Sequence, residues 1–367
     1  MVQFAVKPPE RRKGRICPTG LPPKDLQMDS GDPGIHSSGM KVGERTRCPY
    51  TLKPLAELAN ASREHVVLDA LGGPNAYAVT ACQVVNNQLG QSVDAAFLKE
   101  PAVAIARTRE GIQTRNGEST WRMNGKTVEG DRPVQVTFSG SSVEVYHEKP
   151  VEKSERESGV SYQIIAPESQ AAEQIERLKK KLARKGMVFF EPEVRRTEDQ
   201  TIRGQLVMHL DVLEAGLMKI AYLACFEMLG DAFLDDPLNE EWQKLIRGGT
   251  MEERKAIRIT RGIHPQETGP FAQGLLPKLE PHQHGIAIVN FNHGLYVIVR
   301  LFGDPLLTAF ARVSETSDFG LEEAGGKLVV IDAITKRATQ EPWINHLLRL
   351  AGEPVDAMTD QEEPDVS

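Results

Sequence analysis

The chain has 367 residues, 40% hydrophobic and 26% charged, which is the composition of a globular protein of two or three domains. No run of about 18 uninterrupted apolar residues occurs, so a membrane-spanning helix is excluded. The first residues carry no apolar segment of the secretory kind, and four cysteines are too few for a disulfide scaffold, so the chain reads as cytoplasmic. The net charge of −7 is uneven: residues 1–50 hold nine basic and five acidic side chains, while 351–367 hold six acids and no Lys or Arg. A basic arm can touch phosphate and an acidic tail can cover the same surface, yet both also read as solvated chain ends.

Residues 1–47, rich in Pro and Gly, are predicted to form an extended basic arm. A compact pattern follows: a short helix near Pro54–Ala61, a strand over EHVVLD, the turn signal LGGPN, a strand over YAVTA and a helix from about Cys82 to Leu98. The expected small ββα module spans 48–130. Hairpin signals run over 101–150 (TRNGES, RMNGKT, PVQVTFSG, SSVEVYH), and a connector over 131–200 takes in the later ones with a charged helix over 169–186, ended by Gly186, and MVFFEPEV as a candidate strand. Residues 201–352 read as an α+β domain. It opens with an apolar helix over 212–235, carrying Glu214 and Lys219, and a second helix over LDDPLNEEWQKLIRG, with a third at 251–259. Strands over GIAIVNF, GLYVIVRLF, LTAFARV and KLVVIDAI precede a last helix at 341–350, and 353–367 form the acidic tail. The fold class expected is α+β, with the small ββα module near the N-terminus and a larger mixed α/β domain after it.

The chemistry-bearing residues concentrate in Ser62-Arg-Glu64-His65 and in Cys82-Gln-Val-Val-Asn86-Asn-Gln-Leu-Gly90. On a helix of 100° per residue, Cys82, Val85, Leu89, Val93, Ala96 and Phe97 share one arc, with Asn86 inside it and Asn87 outside. An inward amide must find partners, which makes Asn86 the residue to explain. Glu64 and His65 face opposite sides of a flat strand, although a twist or bulge at a strand start brings neighbours to one site. A histidine suits general-base work near neutral pH, and a carboxylate with an amide oxygen suits a hard cation such as Mg²⁺. The alternative is that Glu64 and His65 cap a strand and Asn86 satisfies a loop.

These motifs, Glu64-His65, the Leu71-Gly72-Gly73 turn and Cys82-x-x-x-Asn86-x-x-x-Gly90, resemble the HNH (ββα-metal) nuclease superfamily, in its prokaryotic EH…LGG…CxxxN branch. The likeness covers residues 48–98. It implies a DNA endonuclease, less readily one acting on RNA, that uses Mg²⁺ or Mn²⁺. His65 would be the general base and Glu64 and Asn86 the metal ligands, with activation by a partner chain or oligomer in prokaryotic antiviral defence. The branch carries two C-x-x-C zinc knuckles, of which Cys48-Pro-Tyr-Thr51 and Cys82-Gln-Val-Val85 each keep one cysteine. Cys17 and His36 have no knuckle spacing, so Cys17, Cys48 and Cys82 do not complete a four-ligand shell, and a zinc-free variant held by packing is expected. A decayed knuckle also motivates the alternative of a catalytically inactive nucleic-acid- or protein-binding subunit.

Other signals are weaker. His282-Gln-His284, near Glu280 and His293, has the spacing of a metal pair on a strand, but a lone H-x-H more often packs or caps. Arg177, Lys179, Lys180 and Lys181 on the charged helix are candidate nucleic-acid contacts with Arg63, and the same run reads as a solvated helix face. Neither a phosphate-binding G-x-x-x-x-G-K-[ST] loop nor a G-x-S-x-G elbow occurs in the sequence.

Overall fold

The computed structural model describes residues 43–352 except 115–116, 141, 157–158, 188–200, 264–266, 268–273, 292–293, 316–318, 320 and 322–324. The arm up to residue 42, the strand expected over MVFFEPEV beyond Met187, and the acidic tail fall outside the described residues. The fold is α+β. Among the described residues no helix is long and apolar enough to cross a membrane. The chain divides into two compact units, one whose described part is Thr120–Val207 and another that joins Gly43–Ser119 to Met208–Gly352.

The first unit holds hairpin strands, but the RMNGKT signal does not mark their turn: Asn124 and Gly125 sit in mid-strand opposite Gln135 and Val134, and the chain turns between Thr127 and Pro133. Ile202–Gly204, Thr120–Thr127, Pro133–Ser139 and Ser142–His147 lie side by side in that order in an antiparallel sheet, and Val151–Arg156 pairs with Gly159–Ile164. The charged helix runs Glu168–Ala183, with Leu178 and Leu182 buried.

The second unit begins with β1 (Ala61–His65) paired antiparallel to β2 (Ala78–Cys82). The module helix Gln83–Leu89 follows and continues through a π-turn, Gly90–Asp94, to Phe97. The strand expected over EHVVLD therefore ends early. Val66 and Val67 are both fully buried beyond the end of the strand, and a 3-10 turn at Asp69–Leu71 follows. The helix expected over 54–61 is a single 3-10 turn, Leu55–Glu57. Pro101–Arg109, within the stretch read as hairpins, is a helix started by its proline.

The C-terminal half supplies the central helix, Leu210–Leu229, which breaks at Gly230, where φ is +70°. It lies against a six-stranded antiparallel sheet. The sheet's strands in chain order are β3 (Arg261–Ile263), β4 (Gln283–Phe291), β5 (Gly294–Arg300), β6 (Thr308–Ser314), β7 (Gly326–Asp332) and β8 (Arg337–Pro342). Their spatial order is β3-β6-β5-β4-β7-β8. Ile286, Ile288, Val297, Val299 and Ile331 join the central helix's core. Ala287, Val289, Ile298 and Leu328 face the other way, onto Trp343 of the last helix, Trp343–Ala351. Burial on both faces explains the nearly continuous apolar runs of these strands. Edge strand β8 is polar and carries no such run.

The small module shares this core: Val66, Leu71, Val79, Ala81, Leu89 and Phe97 sit in the same buried cluster as the central helix and sheet. Close approach is built in at two places. A side chain at Gly216 would lie 2.2 Å from the ring of Phe97. The Leu71-Gly72-Gly73 turn docks on Ala333: Gly72 has φ +86°, and a Cβ there would lie 2.3 Å from the Ala333 carbonyl oxygen. The same turn is held by His284, whose Nε2–H donates to the Leu71 carbonyl at 2.8 Å while Nδ1 accepts from the Phe302 amide at 3.0 Å.

Burial pushes the His284 imidazole down to about 4, below its ordinary 6.5. The unfolded chain then takes up a proton near pH 6.5 that the folded chain refuses until about pH 4. Stability is therefore complete above pH 6.5 and lost as the pH falls, by on the order of 3 kcal/mol at pH 4. Urea unfolding of wild type beside His284→Gln checks this: the stability difference between them is expected to shrink from pH 7 to pH 4. A difference that stays constant would contradict a neutral, buried ring.

Candidate functional site

The continuous register of β1 with β2, Ala61 opposite Cys82 through His65 opposite Ala78, leaves no bulge between Glu64 and His65. The two side chains therefore stay on opposite faces, as in any flat strand. Arg63 and His65 occupy the outer face, Arg63 exposed and His65 half-buried. His65 Nε2 lies 2.9 Å from Oδ1 of Asn75, in the loop between the strands. An amide oxygen there accepts a hydrogen bond from the Nε2–H tautomer, which leaves the lone pair on Nδ1.

Ser62 and Glu64 occupy the inner face, toward the module helix. The arc of that helix places Asn86 inward as expected, and its amide donates to Ser62 Oγ at 3.0 Å and to the Arg63 carbonyl at 3.5 Å. Glu64 is buried, and its Oε1 lies 2.7 Å from the Lys219 ammonium and accepts from the Tyr50 hydroxyl at 3.1 Å. The same ammonium lies 2.6 Å from Asp94 Oδ2, at the end of the π-turn. Lys219 itself is 2% exposed. Burial raises the Asp94 carboxyl, against the pull of Lys219, and burial next to Glu64 and Asp94 raises the Tyr50 hydroxyl well above its ordinary range.

The trio expected from the sequence is thus divided. Glu64 and Asn86 share the inner face, and His65 stands on the outer one. Glu64 and Asn86 as they stand do not fit a shared Mg²⁺ or Mn²⁺, because the Lys219 ammonium already holds the Glu64 carboxylate and the Asn86 amide is turned to Ser62 and the Arg63 carbonyl. Among the described residues no group of three or more His, Cys, Asp or Glu is placed to hold a metal ion. Asn75, Asp94, Tyr50 and Lys219 are the residues that sequence reasoning left out. One of them carried a signal in the sequence, Lys219 as a lone cation in an apolar stretch.

The Cys82 amide donates to Cys48 Sγ at 3.2 Å, so the two cysteines lie close together. Thr51, three residues after Cys48, has its hydroxyl buried and unpaired, and Val85, three residues after Cys82, packs against the core. Cys17 and His36 lie outside the described residues. Cys225 is a buried thiol raised by its burial. Both nitrogens of His284 are occupied by the backbone, so it offers no metal ligand, and His282 lies 3.6 Å from Asp332. His293 lies outside the described residues.

In the other unit, Arg177 pairs with Glu173 and Lys179 with Glu176, one helical turn away, while Lys180 and Lys181 are exposed. A cleft of about 250 Å³ runs along β2, lined by Arg45, Leu55, Ala78, Val79, Thr80 and Phe226, with neither His65 nor Asn86 in its wall.

No family model, curated protein or solved structure matches this chain.

Two cysteines flanked by Thr51 and Val85 leave a tetrahedral shell half empty. Elemental analysis of the purified full-length protein is expected to find zinc far below one atom per chain, and Cys48→Ala is expected to leave that content unchanged. Stoichiometric zinc lost on Cys48→Ala would contradict it.

Proposed function

We propose that this chain is a nucleic-acid-binding protein built on an HNH-like ββα module, in which the outer hairpin face meets phosphate and the inner acids are structural. The observation that carries this reading is the Lys219 ammonium at 2.7 Å from Glu64 and 2.6 Å from Asp94, which occupies Glu64, the carboxylate that the resemblance would give to a metal ion. On the outer face, exposed Arg63 beside half-buried His65 offers cationic and hydrogen-bonding contact to a phosphate without any metal. Lys180 and Lys181 are further candidate contacts.

A second reading, hydrolysis of a phosphodiester in DNA or RNA, is favoured by the pairing of His65 with Asn75. In it, Asn75 fixes the ring, and Nδ1 of His65 takes the proton of a water attacking phosphorus, while the bond to the leaving oxygen breaks and that oxygen takes a proton from solvent. Activation by a partner chain in a prokaryotic defence setting belongs to this second reading and rests on the resemblance.

One experiment separates the two. Single- and double-stranded DNA and RNA are titrated with the full-length protein at two salt concentrations, and plasmid is incubated with it in Mg²⁺ or Mn²⁺. Salt-sensitive binding that Arg63→Ala weakens several-fold, with the plasmid left intact, is the expected outcome. Cutting by wild type that disappears in His65→Ala would replace the first reading with the second. Failure to bind any of the four substrates and to cut the plasmid would overturn both.

A further inference from the structure

The central helix is apolar on every side around Lys219: Leu217, Met218, Ile220 and Ala221 are each at most 3% exposed. A lysine here loses the hydration of its ammonium and the freedom of a four-carbon stem, so a helix packed for stability alone would carry an apolar residue. What the lysine meets is the acid pair. Its Nζ lies within 2.7 Å of Glu64 and 2.6 Å of Asp94, which come from β1 and from the end of the module helix's π-turn. Tyr50 adds a hydroxyl to the same Glu64 oxygen that faces the lysine. Three separate elements and a loop thus converge on one positive charge.

The charge count is informative. Two carboxylates and one ammonium leave the cluster with one uncompensated negative charge, whereas a dication would balance the pair. Nothing in the packing requires two inward carboxylates, since buried ionic groups are commonly replaced by apolar residues at no loss of stability. The position is therefore organised around a cation, and the chain supplies that cation itself.

We propose that the Lys219 ammonium is a built-in replacement for a divalent cation at the Glu64–Asp94 pair, so that the cation position of this module is filled from within the chain. The inference deepens the non-catalytic reading of the module and rests on it only for its consequence. It is read out by ion uptake, so it can fail while nucleic-acid binding holds, and the reverse.

The test uses full-length protein and Mn²⁺ alone, with uptake followed by electron paramagnetic resonance and thermal unfolding followed in parallel. Wild type and Glu64→Gln are expected to take up the same small amount of Mn²⁺. Lys219→Ala is expected to melt about 10 °C lower without the ion, because two buried carboxylates lose their partner. It should then gain about one bound Mn²⁺ per chain and recover much of its melting temperature as Mn²⁺ is added. The double variant Lys219→Ala/Glu64→Gln should lose both the uptake and the recovery. Lys219→Gln, which keeps most of the stem and removes the charge, serves if the alanine variant does not fold. Wild-type Mn²⁺ uptake that vanishes in Glu64→Gln would overturn the proposal. So would a folded Lys219 variant that takes up no more Mn²⁺ than its Glu64→Gln partner.

Discussion

A lysine ammonium buried among Glu64, Asp94 and Tyr50 is the constraint on which the second unit depends. An unpaired charge at 2% exposure would be several kilocalories per mole out of balance, so none of the partners can leave without the others. Because Glu64 is on the hairpin, Asp94 on the module helix and Lys219 on the central helix, satisfying the charge fixes all three elements together. The π-turn at Gly90–Asp94 belongs to the same demand, since one extra residue in the turn shifts the helix face that Asp94 presents.

The second anchor lies on the far side of the hairpin loop. The Leu71-Gly72-Gly73 turn, which belongs to the nuclease resemblance, serves here as a docking surface: Gly72 lets the backbone meet Ala333, Asp69 pairs with Lys336 at 2.5 Å, and His284 binds the Leu71 carbonyl. At the end of the central helix another buried lysine, Lys327, donates to the Met228 carbonyl at 2.9 Å, where the helix leaves its last carbonyls unpaired. Buried polar groups of this kind specify one arrangement of an otherwise apolar interface. They explain how a fifty-residue module and a C-terminal half far from it in sequence form one core.

Much of this was legible before any coordinates. Asn86 pointed inward because its angle on the helix is set by residue count alone, and the four strands of the large sheet were visible because burial on both faces leaves uninterrupted apolar runs. The early end of β1 was hidden, because Val66 and Val67 read as strand whether one or both are buried. The helix at Pro101–Arg109 was hidden because nine residues of small and mixed side chains carry no strong period, and β8 because a polar edge strand has no apolar signature. The candidate site was half legible. Sequence proximity named Glu64, His65 and Asn86, but the partner that decides the role of Glu64 comes from the central helix, and its pairing with Asp94 spans 125 residues. A local pattern cannot show which distant charge will fill a pocket.

The most direct measurement is a double-mutant cycle on Glu64 and Lys219, with Glu64→Gln, Lys219→Met and the double variant unfolded in urea beside wild type. If the buried pair holds the module to the central helix, the double variant loses less than the sum of the two single losses, with a coupling of about 2 kcal/mol or more, although Asp94 remains without its ammonium. Additive effects, in which the double variant loses the sum of the two single losses, would contradict the account.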